Sequence, residues 1–85
     1  MQIEKSFRGI SERLAKHYLQ NLGGEPGGDE ATIVASDWTA HVSSEKVSIG
    51  PSLELTEVTV VFSGDESILD ELVERFSQKA MRAGG

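Results

Sequence analysis

No cysteine occurs among the 85 residues, which excludes disulfides, thiolate metal sites and a cysteine nucleophile together. Long apolar runs are missing too: no stretch approaches the roughly eighteen residues that a membrane-spanning helix needs. The opening Met1-Gln2-Ile3-Glu4-Lys5 lacks the apolar segment of a secretion signal, so a cytoplasmic protein is expected. Basic residues are scarce, eight Lys and Arg against fourteen Asp and Glu, for a net charge of −6. Phosphate binding scales with the number of charges neutralised, so no nucleic-acid partner is expected. The two histidines, His17 and His41, stand far apart in sequence with no His-Glu-x-x-His spacing, and no serine lies in a nucleophile-elbow pattern. Neither a metal nor another cofactor is expected, and the chain does not read as an enzyme.

Eighty-five residues suffice for one domain, with an expected radius of gyration of about 12 Å. A chain this short buries only about 60 to 65% of its unfolded surface, which makes a homodimer a natural way to enlarge a thin core. Charge is unevenly spread. Lys5, Arg8, Arg13 and Lys16 make the first quarter mildly basic, whereas residues 25–85 hold twelve acids against Lys46, Arg75, Lys79 and Arg82.

Periodicity supplies the elements. Ile3, Lys5 and Phe7 alternate with Gln2, Glu4 and Ser6, a first strand ending near Arg8-Gly9. Ile10, Leu14, Tyr18 and Leu22, with Ala15 and Leu19 beside them, then recur at three and four, and Ser11 is placed to cap the helix they define. Gly23-Gly24 stops that helix. Glu25-Pro26-Gly27-Gly28-Asp29 reads as a loop, since proline lacks a donor and glycine resists ordering, and no Lys-Ser or Lys-Thr follows to make it a phosphate loop.

From Ala31 to Phe62 alternation dominates, through Ala31-Ile33-Ala35, Trp38-Ala40-Val42, Val47-Ile49 and a last strand over 53–62. Turns are expected at Ser36-Asp37, Ser43-Ser44-Glu45-Lys46 and Gly50-Pro51-Ser52. Leu53 and Leu55 fall on one parity, Val58, Val60 and Phe62 on the other, which calls for a bulge near Thr56-Glu57. Trp38 is expected to anchor the core. After Ser63-Gly64-Asp65-Glu66, a capping pattern, the residues Ile68, Leu69, Leu72, Val73, Phe76 and Ala80 make one helical stripe.

The expected fold is therefore α+β, one two-layer domain over residues 1–85 in the order β-α-β-β-β-(β)-α, with an antiparallel sheet and both helices on one face. Two helices cover only one side of such a sheet. Val34, Leu53, Leu55 and Val61 are the candidate interaction residues on the other, where a ligand, another protein or a second copy would bind.

The chain closes on Ala83-Gly84-Gly85. A carboxylate behind two residues without Cβ can thread a narrow channel and present itself for adenylation, with 82–85 as a mobile tail. Glycine is also the commonest residue just past a helix end, and Leu22-Gly23-Gly24 offers an internal parallel with no carboxylate. Length, acidity, lack of cysteine and Gly84-Gly85 together resemble the small archaeal modifier and MoaD-like sulfur-carrier group. That resemblance implies a non-enzymatic protein of the ubiquitin-like modifier or molybdopterin-related sulfur-carrier system. Gly85 would be its acyl group, with Gly84 behind it. The partners implied are an adenylating enzyme of the ubiquitin-activating type and either target lysines or molybdopterin synthase. The element order departs from a standard β-grasp, which opens with a hairpin and reaches its diglycine from a strand. It is closer to one half of a TATA-binding-protein-like fold, and with Ser44-Glu45-Lys46-Val47 and Thr56-Glu57-Val58 it resembles the C-terminal domain of MoaD-related proteins. The other reading of the residues is a dimeric protein- or ligand-binding domain that uses its open sheet face, with the diglycine only ending a helix.

Overall fold

The computed structural model describes the backbone of residues 1–84 and the side chains of residues 1–81. Its elements are β1 (Gln2–Arg8), α1 (Glu12–Asn21), β2 (Glu25–Pro26), β3 (Thr32–Val34), β4 (Trp38–Gly50), β5 (Leu53–Gly64) and α2 (Glu66–Gly84). The five strands form one antiparallel sheet in the order β1-β5-β4-β3-β2, a mixed α+β arrangement in the expected succession.

Local chemistry sets the helix ends. The Leu14 amide donates to Ser11 Oγ at 3.1 Å, so the first turn of α1 is capped. At the other end Gly23 takes φ +106°, and the amides of Gly23 and Gly24 donate to Gln20 and Leu19 carbonyls, a left-handed helix stop that glycine adopts at least cost. Helix α2 begins after Asp65, whose carbonyl accepts from the Leu69 amide at 2.9 Å.

The core lies between the sheet and the helices. One parity of each of the three inner strands feeds it: Ile33 from β3, Trp38, Ala40 and Val42 from β4, Val58, Val60 and Phe62 from β5. Ala15 and Leu19 from α1 and Leu69, Leu72, Phe76 and Ala80 from α2 close over them. Phe76 joins four elements, its ring 5.1 Å from Phe7, 5.6 Å from Phe62 and 6.1 Å from Tyr18. Tilted and edge contacts of this kind each add about 0.5–1.5 kcal/mol beyond burial.

Three sequence expectations are corrected. Ser43-Ser44-Glu45-Lys46 is not a turn but the middle of β4, laddered to Thr59, Val58, Glu57 and Thr56. Ser43 and Glu45 lie on the open face, Ser44 Oγ donates to Glu12 at the start of α1 at 2.6 Å, and Lys46 is exposed, so these polar residues sit in a strand without any chain reversal. Nor is there a bulge at Thr56-Glu57: the ladder runs unbroken through them, and the irregularity lies in the partner strand between Ser48 and Gly50. The parity of β5 never changes; its buried set simply stops at Val58, and Leu53 and Leu55 belong to the opposite face. Finally, the loop at Glu25-Pro26 contributes the short edge strand β2 against Ile33 and Val34. Proline is tolerated at a sheet edge because its missing amide removes no bond from a central ladder.

Candidate functional site

The uncovered face of the sheet is built from the parity that the core does not use. Across it run cross-strand rows: Gln2, Ser63, Thr39 and Val34; Glu4, Val61, His41 and Thr32; Ser6, Thr59 and Ser43; Arg8, Glu57 and Glu45; and finally Leu55 and Val47. Hydroxyls bridge part of it, with Ser6 and Thr59 3.0 Å apart. Arg8 Nε donates to Glu57 at 3.0 Å, whereas Glu45, directly opposite Glu57, gains no such partner from that arginine. Like charges opposite one another weaken a ladder, so the middle of this face is an acidic, polar band.

All four candidate interaction residues lie on this face. Val34, Leu53 and Leu55 are 42, 56 and 37% exposed, and Val61 is half-buried. The structure does not bring them together. Val34 sits in the row of Ser63, ten residues along β5 from Leu53, hence about 33 Å away at the usual rise of a strand. Leu53 and Leu55 instead meet Val47, opposite Leu55, and Ile49, 47% exposed beside the register shift. Val47 and Ile49 were missed as site residues, although reading β4 as one strand puts Val47 out of parity with Val42 and therefore on the open face.

The cluster sits on an overhang. Strand β1 stops pairing at Arg8 with Glu57, and β3 stops at Thr32 with His41, followed by the Val42 amide donating to the Ala31 carbonyl at 2.7 Å. Beyond those points β4 and β5 pair only with each other. Two strands of thirteen and twelve residues in a chain of this size account for its 44 × 25 × 21 Å extents.

At the C-terminus, α2 extends through Gly84, and Gly85 lies outside the described residues. Among the described side chains Ala80, 5% exposed, is the last of α2 in the core, while Met81 is 74% exposed. Because Leu69 lies by Gly64 at one end of β5 and Phe76 stacks on Phe7, opposite Val58, the helix runs back along β5 toward the overhang. The C-terminal end of α2 and the hairpin thus lie toward the same end.

Elsewhere the chemistry is sparse. A groove of about 220 Å³ between the end of α1 and α2 is floored by Leu22, Trp38, Ile68 and Leu72, and its Arg75 is already paired with Glu71. His17 and His41 do not converge with carboxylates, and no cluster of metal-ligating side chains occurs among the described residues. Asp29 has its carboxyl held below the usual range by the Thr32 side chain and by the Ala31 amide, which donates to it at 2.8 Å. That bond shapes the loop into β3. No described helix is long and apolar enough to cross a membrane.

A search of curated proteins finds no match to this chain. A family profile does match, described as archaeal MoaD-like protein, and it spans residues 3–85, from the first strand through both terminal glycines. With nearly its whole length covered, the chain belongs to the archaeal MoaD-like protein family.

Proposed function

We propose that this protein is a C-terminal acyl donor of the sulfur-carrier or modifier type, a substrate of other enzymes rather than a catalyst. The observation that carries the reading is that the family match runs to Gly85 while, among the described side chains, Ala80 is the last of α2 in the core and Met81 faces solvent. Met81 is therefore not needed to hold the core, and two of the last three residues have no side chain to obstruct a narrow channel.

The chemistry is that of an activated carboxylate. An oxygen of the Gly85 carboxylate attacks the α-phosphorus of ATP in an adenylating enzyme of the ubiquitin-activating type, releasing pyrophosphate. A nucleophile then attacks the acyl carbon and AMP leaves. If the nucleophile is hydrosulfide, the product is a thiocarboxylate for a molybdopterin-synthase-type partner; if it is a lysine amine, the product is an isopeptide and the amine's proton is released. Gly84 serves by slenderness alone.

The test uses the tail itself. The protein, tagged at its N-terminus and expressed in its native host, is purified under denaturing conditions and digested with trypsin. Cleavage after Arg82 leaves Ala-Gly-Gly on any conjugated lysine, and the free C-terminus is weighed for sulfur in place of oxygen. Either product, lost when Gly85 is deleted, is the expected result. Neither product, in cells where another diglycine protein is conjugated, overturns the reading.

A second reading is favoured by one feature, the uncovered sheet face bearing Val34, Leu53, Leu55 and Val61. There the protein is a dimeric or protein-binding domain, and Gly84-Gly85 is a helix end. Replacing Leu53 and Leu55 by serine would abolish its association while deletion of Gly85 would not.

A further inference from the structure

Six large apolar side chains stand exposed among the described residues, and three of them, Ile49, Leu53 and Leu55, lie on the β4–β5 overhang, next to half-buried Val47. A ribbon of only two strands is marginal in water unless a further strand or a helix supports it. Here no residue from Glu45 to Thr56 is buried, and among the described residues both of its backbone edges lack a strand neighbour, each a template for another strand. What could pair with it is restricted by the residues along the free edge of β4.

Those residues are Ser44 to Gly50, with Glu45, Val47 and Ile49 toward the open face and Lys46 and Ser48 toward the other. When two copies of one edge pair antiparallel about a two-fold axis, a residue at the axis faces itself, and its neighbours face one another on the same side of the sheet. An axis at Glu45 sets glutamate against glutamate, and one at Lys46 sets lysine against lysine. An axis at Ser43 or Ser44 collides with the Ala31 carbonyl, which already occupies the edge at Val42. An axis at Val47 sets Val47 on Val47, Glu45 on Ile49 and Lys46 on Ser48; one at Ser48 sets Val47 on Ile49. Neither confronts like charges. Both continue the apolar strip from Leu55 through Val47 into the partner's Val47 or Ile49, and so to the partner's Leu55 or Leu53.

We propose that a second copy of this chain adds antiparallel to the β4 edge over residues 44–50, with the two-fold axis at Val47 or Ser48. The result is a four-stranded ribbon whose open face carries one continuous patch of Val47, Ile49, Leu53 and Leu55 from both protomers. The pairing uses the overhang alone and does not involve the C-terminal glycines, so it stands or falls separately from acyl transfer.

The absence of cysteine makes the test clean. The full-length wild-type chain is examined by sedimentation equilibrium up to a concentration of about a hundred micromolar, and a dimer is expected. Val47→Lys, which brings charge to the centre of the pairing, should weaken it by about tenfold or more while leaving the far-ultraviolet circular dichroism unchanged. Independently, Val47→Cys and Ser48→Cys each supply a single thiol near the axis, and under mild oxidation one of the two should form a disulfide dimer rapidly. Val34→Cys, on the same face but at the far end, should not. A monomeric wild type throughout that range overturns the proposal, as does a Val47→Lys protein that dimerises undiminished or a Val34→Cys protein that cross-links as fast. If Val47→Lys fails to fold, the cysteine series decides alone.

Discussion

Gly23 and Gly24 are neighbours with different reasons for having no side chain. Gly23 is there for its backbone, at φ +106°, with open space where a Cβ would stand. Gly24 is there for room: a Cβ would press on Ile33 Cγ2 and lie 2.8 Å from Trp38 Cη2, both of them core atoms with little freedom to retreat. Gly24→Ala should therefore cost about 1–3 kcal/mol as an overpacked core does. In a chain of this length that lowers the melting temperature by about 4–8 °C for each kcal/mol. Gly28→Ala, where nothing stands within 4 Å, is the control and should stay within about 0.5 kcal/mol of wild type. Calorimetry of the two variants separates space from conformation. Sequence reading saw the pair as a single helix stop, because the contacts that distinguish Gly24 come from β3 and β4, far along the chain.

Among the elements, α2 is the one most completely visible in the sequence. Its stripe of Leu69, Leu72, Phe76 and Ala80 is buried as a 3.6-residue period requires, since both the pattern and the burial belong to one helix. Strand β4 shows the opposite case. Its buried members stop at Val42, and nothing in Ser43-Ser44-Glu45-Lys46 itself says whether the next residues turn or stay extended. The same blindness displaced the irregularity from β4 into β5. It also left Val34 grouped with Leu53 and Leu55: parity reveals which face a residue occupies but not its distance along the sheet. One consequence is measurable. At concentrations dilute enough to keep the chain monomeric, the amides of residues 45–56 should exchange with solvent well ahead of those of Val58, Val60 and Phe62, whose strand is flanked on both sides and roofed by helices. Equal protection along the whole of β5 would mean that the overhang has cover of its own.

For the molecule as a whole, the balance of charge decides the response to salt. Only two ion pairs occur among the described residues, Arg75 with Glu71, both largely exposed, and Arg8 with Glu57, whose arginine is exposed and whose glutamate is half-buried. Pairs of that kind contribute about 0–1 kcal/mol, so little is lost when salt screens them. Against this stands the mutual repulsion of fourteen carboxylates opposed by eight cationic side chains, which screening relieves. Thermal stability should rise with salt. The association of two copies, each carrying −6, should tighten as well, and a sedimentation series in sodium chloride would show the apparent dissociation constant falling. A constant that grows with salt would point to a partner of opposite charge instead.

The end of the core's hold on α2 also sets a length. A helical residue advances about 1.5 Å and an extended one about 3.4 Å, so drawing residues 81–84 out of helical geometry lengthens their span from about 6 Å to about 14 Å. Of the described side chains, that extraction displaces only Met81, which already faces solvent, and it leaves Ala80 and Phe76 in place. The last helical turn is thus a retractable reach of about 8 Å, available to a partner that must draw the carboxylate into a deep channel while the described core side chains stay where they are.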